Sequence, residues 1–277
     1  MKIIHLLAAS LVLTAIATGG ARAQPTFTPI TGPTCTGTYM YVLPHLSTEN
    51  ETASSRFISV VMIANLNPST TATLQACAYN DGAFIGGTSF SLPSNNRVFA
   101  EDPPPSGTPP AGQTPVALAS MFNTITLPPN TGFHAVIASN IALAVESGFV
   151  GPVTGIFTIA RAGLAGTVLG TAHFGVLPVY PGTLFISNPN NATVTYSIVF
   201  FNDNGTVAAQ TGNLTLAPFK RARFEVSALT DANGVSLGLK NYYSLRVNAT
   251  GGTLGGLTII RTLAGNYVGN AMAQILP

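Results

Sequence analysis

The sequence predicts an all-β chain: two tandem antiparallel β-sandwich modules behind a cleaved leader. Three observations carry this. Apolar and polar residues alternate with a period of two, Gly, Pro and Asn interrupt the alternation at short intervals, and the second half repeats short strings of the first in the same order. Val42-Leu43-Pro44 returns as Val176-Leu177-Pro178, Asn67-Pro68 as Asn188-Pro189, and Ala72-Thr73-Leu74 as Ala192-Thr193-Val194. Asn80-Asp81-Gly82 returns as Asn202-Asp203-Asn204-Gly205, and Thr158-Ile159-Ala160-Arg161 as Thr258-Ile259-Ile260-Arg261. What repeats is strand and turn chemistry, not a set of acids, bases or nucleophiles.

Residues 1–23 read as a signal peptide. Lys2 gives the positive start, Ile3 to Thr18 is almost wholly apolar, and Ala21-Arg22-Ala23 supplies a small-residue cleavage site before Gln24. An uncleaved anchor is the competing reading; Gly19-Gly20 and the Ala-x-Ala pattern oppose it. No later run is continuously apolar for the roughly 18 residues a helical span needs, so the mature chain is expected to have no transmembrane helix. The expected location is secreted, periplasmic or cell surface.

Residues 24–38, rich in Pro, Thr and Gly, form a lead-in segment. The first module is placed at 39–166, with a polar insertion at Ser47 to Ser55 and a Pro-rich one at 102–115. The latter is read as an exposed, extended loop, either a binding arm or a tolerated surface insertion. The second module is placed at 173–277. Within it Val194, Tyr196, Ile198 and Phe200 alternate with Thr193, Thr195 and Ser197, the pattern of a strand with one buried face. Asn202-Asp203-Asn204-Gly205 follows as hairpin turn chemistry, because Asn and Gly tolerate positive φ. Further strands are predicted at Thr183 to Ser187, Thr206 to Gly212, Asn213 to Leu216, Ala222 to Val226, Tyr242 to Asn248 and Leu257 to Thr262. Short helical turns are predicted at Val116 to Phe122 and Val226 to Asp231.

Two cysteines in an exported chain predict one disulfide, Cys35 to Cys77. Closing that loop is worth up to roughly 4 kcal/mol in the chain-entropy description. The internal alignment sets Cys77 against Ser197, on the outward phase of its strand. The bridge is therefore expected to pin the lead-in over the outer face of the first module.

Charged residues make up 7% of the chain, against the roughly 25% usual for globular proteins. Eleven basic residues fall to nine once Lys2 and Arg22 leave with the leader, matching the nine acidic ones. Such a chain has no electrostatic support for binding nucleic acid, and its weak repulsion fits either self-association or packing against a surface or matrix partner, or a soluble domain covered in Thr, Ser, Asn and Gly.

Among candidate sites, His45, His134 and His173 lack the neighbours of a metal site, and no nucleotide or nucleophile-elbow motif occurs. Glu101-Asp102 leads into the Pro-rich insertion and is not read as a catalytic pair. No cofactor, metal or catalytic residue is expected. Lys220-Arg221-Ala222-Arg223 is the strongest basic cluster; Lys220, Arg221 and Arg223 form either an anion-binding patch or a charge-guarded strand edge. Tyrosines such as Tyr39, Tyr41, Tyr242 and Tyr243 offer surfaces that sugars stack on, but the chain has no Trp, so the sequence gives carbohydrate binding no support. Asn50, Asn191, Asn204, Asn213 and Asn248 stand in N-x-S/T sequons.

The order of Val176-Leu177-Pro178, Phe185-Ile186-Ser187-Asn188-Pro189, Ala192 to Phe201 with its Asn-rich turn, Leu214-Thr215-Leu216-Ala217-Pro218 and Thr258-Ile259-Ile260-Arg261 resembles the tandem immunoglobulin-like modules of exported bacterial proteins. That resemblance implies a non-catalytic extracellular module used for adhesion or construction. The insertions and the lone disulfide depart from it. The expectation is an exported structural or adhesive protein and not an enzyme. The alternatives are an extracellular binding module for glycan or protein, and an outer-membrane barrel.

Overall fold

The computed structural model describes residues 25–47, 58–101, 113–124, 131–150, 155–160, 163–164, 171–176, 182–239, 243–252, 254–261, 267–272 and 274–275. Residues 1–24, where the sequence predicts a leader, and most of the Pro-rich insertion lie outside them. In the first half the strands are Thr28–Pro29 (β1), Tyr39–Ser47 (β2), Ile58–Asn65 (β3), Ala72–Asn80 (β4), Ala83–Leu92 (β5), Asn96–Glu101 (β6) and Gln113–Ala117 (β7). A helix, Leu118–Phe122 (α1), precedes Gly132–Ser139 (β8), Ala144–Val150 (β9), Gly155–Ala160 (β10) and Gly163–Leu164 (β11). The second half comprises Thr171–Val176 (β12), Gly182–Ser187 (β13), Val194–Phe201 (β14), Val207–Gln210 (β15), Leu214–Leu216 (β16) and Arg221–Glu225 (β17). After a 3-10 turn at Val226–Ala228 come Tyr243–Thr250 (β18), Gly255–Arg261 (β19), Tyr267–Met272 (β20) and Gln274–Ile275 (β21).

The fold is all-β, in four sheets that do not close on themselves among the described residues. Their orders are β1-β5-β4-β8-β2-β11 and β10-β9-β3-β6-β7 in the first half, and β15-β14-β18-β12-β21, with β16 also on β14, and β17-β13-β19-β20 in the second. Every pairing is antiparallel except β6 with β7. Stripped of their edge additions, the two halves have one strand order. β12 stands for β2, β13 for β3, β14 for β4, β15 and β16 for β5, β17 for β6, and β18, β19 and β20 for β8, β9 and β10.

Alternation does what the sequence leads one to expect. Val194, Tyr196, Ile198 and Phe200 are buried together with Leu184, Ile186, Leu245 and Val247, so residues of two sheets share one core. Leu43, Ile63, Leu74, Val98, Met121 and Phe133 do the same in the first half. The hairpin β4–β5 turns at Asp81 and Gly82, both at positive φ (47° and 86°), the backbone that a two-residue primed turn requires.

Register corrects the internal alignment. Ala72 pairs with Leu92 as Val194 pairs with Leu216, so Ala72 corresponds to Val194 and not to Ala192. Cys77 therefore stands at Val199, two residues beyond Ser197, and because the slip is even it stays on the outward phase. Val42 corresponds to His173, since each lies across from the partner of that same position, Val136 and Arg246. The Thr-Ile-x-Arg strings fall on non-equivalent strands, β10 and β19. Asn80 and Asn202 do coincide.

Cys35 and Cys77 are joined, with Cα atoms 5.9 Å apart. The bridge sits with Tyr79, Val136 and Ala138 on the face of β4 opposite Leu74, Ala76 and Ala78. The lead-in crosses this face. β1 pairs with β5, Ile30 N donates to Gly87 O at 3.0 Å, and Tyr79 Oη donates to Pro33 O at 2.8 Å.

At the end of β3 and of β13 a fully buried asparagine holds the corner where the chain crosses between sheets. Asn65 Nδ2 donates to Thr70 O (2.8 Å) and Leu92 O (2.9 Å) while its Oδ1 accepts from Asn67 N (3.0 Å). Asn188 Nδ2 reaches Ala192 O, Leu216 O and Ala217 O at 2.8 to 3.0 Å, and its Oδ1 accepts from Asn190 N at 2.9 Å. Asn188→Ala strands these carbonyls away from water and is expected to cost about 2–4 kcal/mol in denaturant unfolding. Asn190→Ala removes the Nδ2 donation to Asn188 Oδ1 (2.6 Å) but keeps the backbone N–H bond to the same oxygen, and is expected to cost less.

Candidate functional site

On β13, Leu184 and Ile186 face the second core, so Thr183, Phe185 and Ser187 belong to the outward phase. All three are nevertheless buried, and Phe185 packs with the core of the first half. A face that ought to be wet is covered where the two halves meet, and His45, Tyr79, His134 and Arg221 lie in this joint.

Phe185 stacks on His45 of β2, ring centroids 4.0 Å apart and planes within 1°. Arg221, the first residue of β17, lies over the same ring, its Cζ 5.4 Å from the centroid. Its Nη1 donates to Phe133 O at 3.2 Å and to His45 Nδ1. Since a guanidinium can only donate, that imidazole nitrogen carries no proton. Burial lowers the Arg221 pKa to about 10, with the nearby Arg223 adding to the effect.

Glycines make the approach close. A Cβ on Gly132 would stand 2.8 Å from Arg221 Nη2 and 3.2 Å from His45 Cε1. One on Gly255 would collide with Val42, and one on Gly82 would sit 3.1 Å from Lys220 Cγ.

A second stack completes the joint. Phe219 lies on Tyr79, centroids 4.8 Å apart and 5° between planes, and Tyr79 lies against His134 at 5.2 Å. Phe219 has φ 55°, a backbone that bulky residues avoid. It occupies the third place of a turn closed by Lys220 N to Ala217 O at 3.2 Å, and its counterpart in the first half is Asn95, at φ 54°. Asn tolerates that conformation; Phe there costs about 1–2 kcal/mol. The strain places the ring on Tyr79.

His134 is fully buried, and neither ring nitrogen has a hydrogen-bond partner. Burial, with Arg221 nearby, pushes its pKa down to about 3. Burial likewise pushes the Tyr79 hydroxyl up to about 12. These groups are locked in their neutral forms, which suits packing and leaves none of them poised to transfer protons near neutral pH.

The structure divides the basic cluster. Lys220 meets Asp81 across the joint at 3.2 Å, Arg223 meets Glu225 on its own strand at 2.7 Å, and Arg221 turns inward. Each cation has an intramolecular contact of its own, and the three do not converge on one site. His45 and His134 come together in the joint, which their sequence positions gave no hint of; side chains of β12, His173 among them, lie outside what is described. Among the described residues no three His, Cys, Asp or Glu side chains gather as a metal site. No helix among them is long and apolar enough to cross a membrane.

No known protein family and no curated protein matches the chain. Among solved structures it is similar to a glycosyl hydrolase family 2 member from Bacteroides cellulosilyticus. The two are 8% identical over 86% of this chain and 28% of that one, with a TM-score of 0.17. A likeness this weak carries no argument about activity.

Two outcomes are expected. Between pH about 6.5 and about 3 the unfolded chain binds a proton at His134 that the native chain refuses, so stability falls as pH drops through that window, by up to about 1.4 kcal/mol per pH unit. His134→Phe removes this dependence, and denaturant titrations from pH 7 to 4 should show a flatter profile than the parent. Phe219→Gly relieves the strained φ but uncovers Tyr79, so Tyr79, otherwise buried, should become open to nitration. Continued protection of Tyr79 would show that the ring of Phe219 does not hold the joint.

Proposed function

We propose that this chain is an exported, non-catalytic structural or adhesive protein of the cell surface or extracellular matrix, built of two tandem immunoglobulin-like sandwiches. The observation that carries the reading is the repeated strand order of the two halves together with the joint between them. His45, His134, Tyr79 and Arg221, the side chains with the most chemistry to offer, are packed into that joint as rings and buried donors. Two repeated units packed against each other through stacked rings suit a load-bearing or spacing role better than a cleft that opens and closes.

Three further features support it. The disulfide suits an oxidising compartment. The leader-like N-terminus suits export, and the sparse, balanced charge suits a protein that lives packed against itself or a matrix. Fractionation with size analysis of the native protein tests the reading. The protein is expected outside the cytoplasm, beginning at Gln24, in surface or matrix fractions as part of a large assembly. Recovery from the cytoplasm, or as a free monomer in the medium, would overturn it.

A further inference from the structure

Among their edge differences, the two halves differ at the edge formed by β6 and β17. In the first half β7 lies along β6 in parallel register, Thr114 opposite Val98, Val116 opposite Ala100 and Ala117 opposite Glu101. With this cover, Val98, Ala100 and Val116 are sealed in the core at 0%, 0% and 1% exposure. β17 holds the place of β6. Arg221 pairs with Ser187 as Arg97 pairs with Ala64, which sets Ala222 at Val98, Phe224 at Ala100 and Glu225 at Glu101. No described strand lies beyond β17.

The missing cover shows in the core. Ala222 and Phe224 face the second core, yet both are only partly buried, where their counterparts are sealed. Arg223 and Glu225 point to the other face and pair with each other, so they do not shield this side. At the start of the strand Phe219 and Lys220 are held against Tyr79 and Asp81. Among the described residues the open stretch is therefore Ala222 to Glu225.

We propose that β17 is an acceptor for a strand from another polypeptide, which adds along Ala222 to Glu225 in parallel, as β7 adds to β6. The occupant is an extended, uncharged segment with an apolar side chain opposite Phe224, as Val116 of the uncharged β7 stands opposite Ala100 in the first half. Backbone pairing along the edge supplies adhesion, and the side chain opposite Phe224 supplies selectivity. The edge is read from strand order and burial, independently of where the protein resides, so it stands or falls apart from the proposed role.

The test uses the oxidised mature chain and a synthetic peptide copying residues 112–118, which contains β7. Saturable binding is expected, with new hydrogen-exchange protection confined to the amides of 222–225. A copy in which the valine is replaced by aspartate should bind at least about tenfold more weakly. The proposal is overturned by absence of binding at millimolar peptide, by protection elsewhere such as along β15, or by equal binding of the two copies. Self-association of the chain through β17 that the peptide fails to displace would overturn it as well.

Discussion

Two buried amides hold the architecture in register. Asn65 and Asn188 each stand where a strand of one sheet ends and the chain crosses to the other, and each bonds carbonyls on both sides of the crossing. A sandwich has no backbone hydrogen bonds between its sheets, so apolar packing alone would tolerate sliding. A side chain able to donate twice and accept, placed where water cannot compete, fixes how far the next strand has travelled before it turns inward. From that point alternation decides everything along β4 and β14.

The joint is a second constraint, of another kind. Here the sequence departs from local preference: a phenylalanine at positive φ, an arginine partly stripped of water, and a histidine with neither nitrogen bonded. Each costs stability that its own half does not need, and the first half, with Asn95 at the equivalent turn, shows the unstrained choice. Such local inconsistencies are tolerated where they secure something at a larger scale. What they secure is a ring-on-ring contact between halves that glycine spacing makes close.

Much of the fold was legible because strand chemistry is local. Alternation located β14, β18 and β19 to within a few residues, and Asp81-Gly82 announced its turn. The repeat was visible too, but its register was not. Strings such as Ala-Thr-Leu are common in any Thr-rich β protein, and a slip of two residues keeps every side chain on its face, so the sequence offers no penalty against it. Val42 and Val176 show the limit, matched by identity yet three residues out of register. β7 was hidden by Pro115, which reads as loop, although a parallel edge strand accommodates it. The joint was illegible for a different reason. Lys220, Arg221 and Arg223 look alike as a cluster, and the approach of β2, β8 and the β4–β5 turn, all far away in the chain, separates their fates.

The disulfide has a mechanical consequence. Cys35 lies in the lead-in and Cys77 in β4, in the middle of its sheet. Tension applied to the chain from a point before β1 and from its C-terminal end peels β1 from β5 and then reaches a covalent bond, which passes the load straight to β4. The intervening residues, with all of β2 and β3, drop out of the force path and cannot be drawn out while the bridge is closed. Reduction would return about 42 residues to the extensible length, so the redox state of one bond sets how far the first half can stretch before it fails.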